Sequence, residues 1–254
     1  MDFVSLLSQE YVVNFLLLYI RFSALFVFLP IFNHLSIPAR VKALLAFYFT
    51  IMFYSTIPPL ILPSGFIELS LMILSEIFLG MLVGIILQTV MAMVAYAGEQ
   101  ISFIMGFTMA SVMDPQTQTS TPLMSSFLSL IALMLLLALD VHHWMIEFMH
   151  QSLQAIGLGS FYPTDTIIEQ ILKEFGLLFI VGFTIAFPIL ALSLLVDIIF
   201  GMLMKTMPQF NLLVIGFPIK IGVAFTILMA VLTSMMVVFQ REFEDAFNSL
   251  SIFF

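Results

Sequence analysis

The stretch "DVHHWMIEFMH" places His143, Glu147 and His150 at i, i+4 and i+7, one face of a helix, and helical zinc sites use such spacing. The His-Glu-x-x-His order of the zincins is absent, no further ligand is evident for this face, and His and Trp are ordinary residues at the end of an apolar helix. The trio is therefore expected to bind no metal. An intramembrane aspartyl protease would need two embedded carboxylates to converge. Asp140 and Asp197 are available, but no pattern pairs them, and Asp114 precedes a proline in a polar loop. No G-x-S-x-G elbow, P-loop or dinucleotide fingerprint occurs. The absence of cysteine removes disulfides, thiolate metal sites and cysteine nucleophiles. The residues make no case for an enzyme, and no cofactor is expected.

The elements that must position these residues belong to a membrane protein. The chain is 62% hydrophobic and 9% charged, with a mean hydropathy of +1.20, far from the balance of a soluble domain. Six apolar stretches are candidates for crossing a bilayer: Tyr11–Phe32, Val41–Leu62, Phe66–Ala97, Leu123–Leu139, Leu172–Met204 and Asn211–Phe239. No Lys or Arg precedes Arg21, unlike a cleaved secretory leader, so the first stretch is expected to stay in the mature protein. The net charge of −8 argues against a nucleic-acid or anionic-lipid partner surface.

Turn-forming clusters separate the stretches, and their length and Leu, Met and Phe content predict an all-α fold, since barrel strands would be near ten residues with strict alternation. The third and fifth stretches are too long for a simple bundle: each would extend about 48 Å against a hydrocarbon core of about 30 Å. They must kink, tilt or project. Pro188 and Pro218 offer breaks, and Gly80-xxx-Gly84 permits close helix approach. Arg21, Glu76, Asp197 and Lys220 lie where lipid contact would be expensive, so each is expected to face another protein group or water, with snorkelling the alternative for Arg21 and Lys220. Lys205, Asn211 and Lys220 are expected at a subunit interface, because "KTMPQFN" interrupts two apolar stretches.

The polar loop "GFTMASVMDPQTQTSTP", Gly106 to Pro122, is the anomaly in this oily chain. Met105, Met109 and Met113 fall at i, i+4 and i+8, so a helical continuation of the third stretch would put three pliant thioethers on one face. The bland reading is that they are gap-filling core residues in a chain with 19 methionines. Asp114-Pro115 then opens a run, Gln116, Thr117, Gln118, Thr119, Ser120, Thr121 and Pro122, with no aliphatic side chain. Its backbone in lipid would cost several kcal/mol per unsatisfied group, so it belongs in water, inside protein, or along a wet passage.

Three segments together resemble the FliR family, the R subunit of the flagellar type III secretion export gate. They are "RFSALFVFLPIFNHLSIPARVKALLAF", with Arg21, Pro30, Pro38 and Arg40; "GEQISFIMGFTMASVMDPQTQTSTPL"; and "MKTMPQFNLLVIGFPIKIGVAF". In this order they cover nearly the whole chain. The resemblance implies a non-enzymatic gate subunit that assembles with several P and Q subunits, alongside the A and B subunits of the export apparatus, in the bacterial inner membrane at the flagellar basal body. It implies passage of unfolded rod, hook and filament proteins, contact with membrane lipid, and no nucleic acid. It also implies a P-like portion over residues 1–169, a Q-like helical hairpin over 170–254, and tilted helices reaching beyond an ordinary bundle. Residues 106–122 would plug the pore beneath a methionine-lined constriction, and Arg21, Arg40, Glu76, Asp197, Lys205, Asn211 and Lys220 would serve subunit interfaces. The competing reading is a polytopic secondary transporter, for which broken helices and buried charges are equally expected.

Overall fold

The computed structural model describes residues 9–32, 37–57, 65–107, 122–207 and 215–253. Among the described residues there is no strand, and the protein is an all-α, membrane-associated chain. The helices are α1 (Gln9–Phe28), α2 (Ala39–Phe53), α3 (Phe66–Ile104), α4 (Leu123–Ala138), α5 (Val141–Ala155), α6 (Asp165–Thr206) and α7 (Phe217–Ser249). Single 3₁₀ turns follow α2 and α7. The chain divides into two compact units, one of residues 1–88, 136–173 and 245–254, the other of 89–135 and 174–244.

In the first unit α1 is the hub. Phe22, Phe26, Leu17, Leu18 and Leu25 are fully buried, each such side chain stabilising the fold by about 1.5–3 kcal/mol. One side of α1 meets α2 through an aromatic seam in which Phe22 and Phe26 both contact Phe49 and Phe22 also contacts Phe53. Another side meets α3 along residues four apart: Glu76, Gly80, Gly84 and Gln88. A Cβ on Gly80 would sit 2.6 Å from Ala24 Cβ, and one on Gly84 would sit 2.8 Å from the Phe28 carbonyl oxygen. Gln88 donates to that same carbonyl. The Gly80-xxx-Gly84 pair is thus a packing device, because the α1 backbone occupies the space that larger side chains would need.

In the second unit the C-terminal part of α3 meets the start of α4. Glycine is again required at the contact, since a Cβ on Gly98 would lie 2.6 Å from the Ser125 amide nitrogen. Helix α6 packs on the same part of α3, with Gly182 under Tyr96 and the Met93 carbonyl, and with Tyr96 and Phe179 edge to face at 5.6 Å.

Among the described residues, four helical segments are long and apolar enough to cross a membrane: Tyr11–Phe28, Phe66–Ile104, Asp165–Thr206 and Phe217–Phe253. Helices α4 and α5 form a further candidate bent by 66° at their junction. The second apolar stretch falls short, because its helix α2 has only 15 residues. The two longest helices exceed the sequence expectation: 39 residues in α3 and 42 in α6 correspond to about 58 and 63 Å, twice the hydrocarbon thickness. Pro188 does not end the fifth stretch, for α6 runs through it. Pro218 does not interrupt the sixth, because it is the second residue of α7, in the first turn, where no intrahelical bond is lost by its missing N–H.

Candidate functional site

Both ends of the polar loop are built into the second unit. At the near end Met105 is buried, and its amide still donates to the Ile101 carbonyl at 3.0 Å. Gly106 then turns left-handed, with φ of +79°. Its N–H reaches back to the Phe103 carbonyl at 3.1 Å, and the Phe107 N–H reaches the Ser102 carbonyl at 3.0 Å. These paired reverse bonds are a Schellman closure, which satisfies carbonyls that the ended helix leaves open and demands a residue tolerant of positive φ. The Phe217 ring lies where a Gly106 Cβ would come within 3.0 Å, and Phe107 contacts Phe225. The helix of the third stretch therefore stops at Gly106.

At the far end Pro122 accepts from the Ser126 amide and starts α4. The Met124 amide donates to Ser102 Oγ at 3.2 Å, and Ser125 Oγ donates to the Ala95 carbonyl at 2.9 Å. A serine on each helix thus fastens the entry of the loop to its exit. Met109, Met113, Asp114, Pro115, Gln116, Thr117, Gln118, Thr119, Ser120 and Thr121 lie outside the described residues, as does Asn211. The fastening was missed at the level of sequence, although Ala95, Gly98 and Ser102 recur at helical spacing and mark a face of small residues.

Arg21 and Glu76, expected to find polar partners, find them in their own chain. Both are fully buried. Arg21 Nε and Nη2 donate to the two Glu76 oxygens, the latter at 2.9 Å. Nη1 donates to the carbonyls of Ser152 at 3.1 Å and Ile156 at 3.0 Å, and Nη2 also to that of Gly157 at 3.2 Å. The guanidinium has five N–H groups, and five acceptors surround it. Three of these are carbonyls at and just beyond the C-terminus of α5, the end where the helix dipole favours a cation. Glu76 accepts in addition from the Gly159 amide. Gly159 has φ of +72° in the turn from Gly157 to Ser160, and a Cβ there would strike the Met72 side chain at 2.6 Å. With both groups fully buried inside the chain, neither offers a surface to another subunit, and neither snorkels.

Lys220 and Asp197 also meet, joining α7 to α6 with Nζ to Oδ2 at 2.7 Å. This pair is open on one side: the Lys220 side chain is 11% exposed and that of Asp197 44%. Arg40 and Lys205 are exposed. In the trio on α5 that was expected to bind no metal, Glu147 accepts from Gln151 and His150 pairs with Gln154. A different trio, Asp140, His142 and His143, comes together at the junction of α4 and α5.

Comparison with known proteins bears on what this arrangement serves. Residues 12–246 match the family of bacterial export proteins, family 1. The flagellar biosynthetic protein FliR of Bacillus subtilis is 35% identical over 91% of this chain and 90% of its own length. The proteins of the same name from Escherichia coli and Aquifex aeolicus are 28% and 25% identical, over 91% and 97% of this chain and 89% and 95% of their own.

Proposed function

The chain belongs to the bacterial export proteins, family 1, and from that membership we propose that it is a structural and gating subunit of the channel that exports flagellar proteins. At the coarser level it is a membrane-embedded component of a flagellar export apparatus. The finer reading places it in the inner membrane at the basal body, with P and Q subunits as immediate neighbours and the A and B subunits of the apparatus nearby. Unfolded rod, hook and filament proteins are the passing cargo. Its work is mechanical, with no bond made or broken.

The observation that carries this reading is the fastened hairpin of α3 and α4. Two apolar helices are pinned by Ser102 and Ser125 at the point where the polar run from Gln116 to Pro122 emerges. Such a run has little apolar area to hold it in one place, so opening it costs little, while its anchors stay fixed. Buried Met105 at the base offers a polarisable, unbranched side chain that can repack around a variable polypeptide. A hydrophobic constriction beside such a plug would stop water and ions by dewetting.

Partners of the Q and P type fit the surface. In α6 and α7 only 33% and 22% of the most apolar window is buried within the chain, and Phe175, Phe179, Phe183, Phe187 and Leu194 stand exposed. Apolar surface of that extent is covered by lipid or by other subunits. Residues 170–254 read as the Q-like hairpin, closed by Asp197 and Lys220, and residues 1–169 as the P-like portion. Arg40, Lys205 and Asn211 are assigned to subunit contacts, and Lys220 with Asp197 to the edge of one.

Deleting Gln116–Thr121 tests the plug. The assembled complex, reconstituted in planar bilayers, is expected to form and to conduct ions above the level of the intact complex. Unchanged conductance from a verified assembly would return the loop to a plain exposed connection.

A further inference from the structure

We propose that Asp140, His142 and His143 form a surface site for a divalent transition metal of the zinc and copper class. One ligand atom from each of the three residues lies within 4.8 Å of the other two. Asp140 Oδ1 is 3.9 Å from His142 Nε2 and 3.6 Å from His143 Nδ1. Ligand atoms of a tetrahedral zinc with bonds of about 2.0–2.1 Å are about 3.4 Å apart, so small side-chain rotations bring all three onto one ion.

The local backbone frees these groups for that use. Asp140 precedes α5 at the N-cap position, where an aspartate ordinarily accepts from the first-turn amides. Here it is left-handed, with φ of 57°, and its side chain makes no capping bond. A non-glycine residue pays for positive φ, and Asp140 is the one such residue among those described. Its carboxylate turns to the imidazoles instead. Adjacent helical residues usually diverge, yet the two imidazole rings lie 4.2 Å apart. They offer opposite nitrogens, Nε2 and Nδ1, to the same point.

Composition selects the ion. Two imidazoles and one carboxylate suit zinc or copper, whereas calcium and magnesium require oxygen donors. The carboxylate also offsets the positive end of the α5 dipole, which would otherwise oppose a cation there. Asp140 and His143 side chains are 70% and 68% exposed, so the ion has an open path. Three protein ligands leave a fourth position for water or an incoming group. His142 Nδ1 has no hydrogen-bond partner among the described residues, so no outer contact fixes the ring, and exchangeable binding follows.

The test is a zinc titration of the full-length protein, purified in detergent with its co-purifying subunits, against a competing chromophoric chelator. The intact protein is expected to take up one saturable zinc equivalent per chain. His142→Ala with His143→Ala should abolish that equivalent, and Asp140→Asn should weaken it at least about tenfold, the lower bound for losing even an outer contact. His150→Ala should leave it unchanged. Absence of a saturable equivalent, an equivalent retained in the double variant, or one lost in His150→Ala would each overturn the site. Because His142 and His143 lie at a surface turn, intact assembly of the variants is expected and is read on the same sample by size-exclusion elution.

Discussion

The ion pairs Arg21–Glu76 and Asp197–Lys220 differ in how completely they are enclosed. Arg21 and Glu76 are sealed, with every guanidinium N–H directed to an acceptor and with α1, α3 and the exit of α5 all tied to one point. Asp197 and Lys220 share one contact between two helices, and the carboxylate keeps nearly half its surface. Desolvating two charges is expensive and is recovered only where geometry is good and the remaining donors are satisfied. The sealed pair meets that condition within the chain. The open pair does not, and a second surface laid against α6 and α7 would complete its enclosure. One pair is therefore a property of the subunit's fold, and the other is the one proposed to be completed by its assembly.

The largest effect expected from this contrast is at Arg21. Arg21→Met leaves the Glu76 carboxylate buried and three carbonyls without their donor, a loss of about 3–5 kcal/mol. The protein should then fail to accumulate in the membrane or melt at much lower temperature. Arg21→Met combined with Glu76→Met should recover part of the loss, since an apolar replacement of a whole pair is often tolerated. A thermal unfolding midpoint in the single variant equal to that of the native complex would show that the pair is not sealed as described.

Gly80→Leu probes the scaffold around that pair without touching a charge. The added side chain meets Ala24 and the Leu25 amide at distances no rotamer relieves, so α1 must move. Overpacking of this kind costs about 1–3 kcal/mol, and limited proteolysis of the first unit should accelerate. Equal cleavage rates would mean that α1 and α3 are not in contact there.

The smallest intrinsic effect belongs to Lys220. Lys220→Met breaks a partly exposed pair, worth about 0–1 kcal/mol, so the isolated chain should unfold as before. Lys220→Glu should leave that stability little changed but reduce co-purification of the other subunits, because it places two carboxylates at the proposed partner contact. Normal recovery of those subunits would remove the distinction between the two pairs.

Much of this was legible from residue type. A charge within a long apolar stretch must find a protein partner, and Arg21, Glu76, Asp197 and Lys220 all did. The partner's identity was not legible, because Ser152, Ile156 and Gly157 contribute carbonyls, which every residue carries. Helix lengths were underestimated for a related reason: hydropathy falls at Gly98-Glu99, but the backbone hydrogen bonds of α3 continue to Ile104. The end of α3 was not foreseen because periodicity was extended across Met-Gly-Phe, where the glycine after a helical run was itself a stop signal; Met109 and Met113 lie outside the described residues. The trio of His143, Glu147 and His150 was legible only as a spacing expected to hold no metal; local glutamines pair with two of its members, while the turn before α5, invisible to that spacing, gathers Asp140 with His142 and His143. Agreement with the flagellar relatives came from motif order, which survives when individual contacts are invisible.

The serine fastening between α3 and α4 makes the intervening segment a closed polymer loop with its circumference fixed by covalent length. The entropy of closing such a loop changes slowly with length, about 0.6 kcal/mol for each doubling. Natural or engineered variants can therefore lengthen or shorten it with little effect on the helices that hold it. For the proposed plug, this means that the dimensions of the segment can be tuned separately from the stability of the frame.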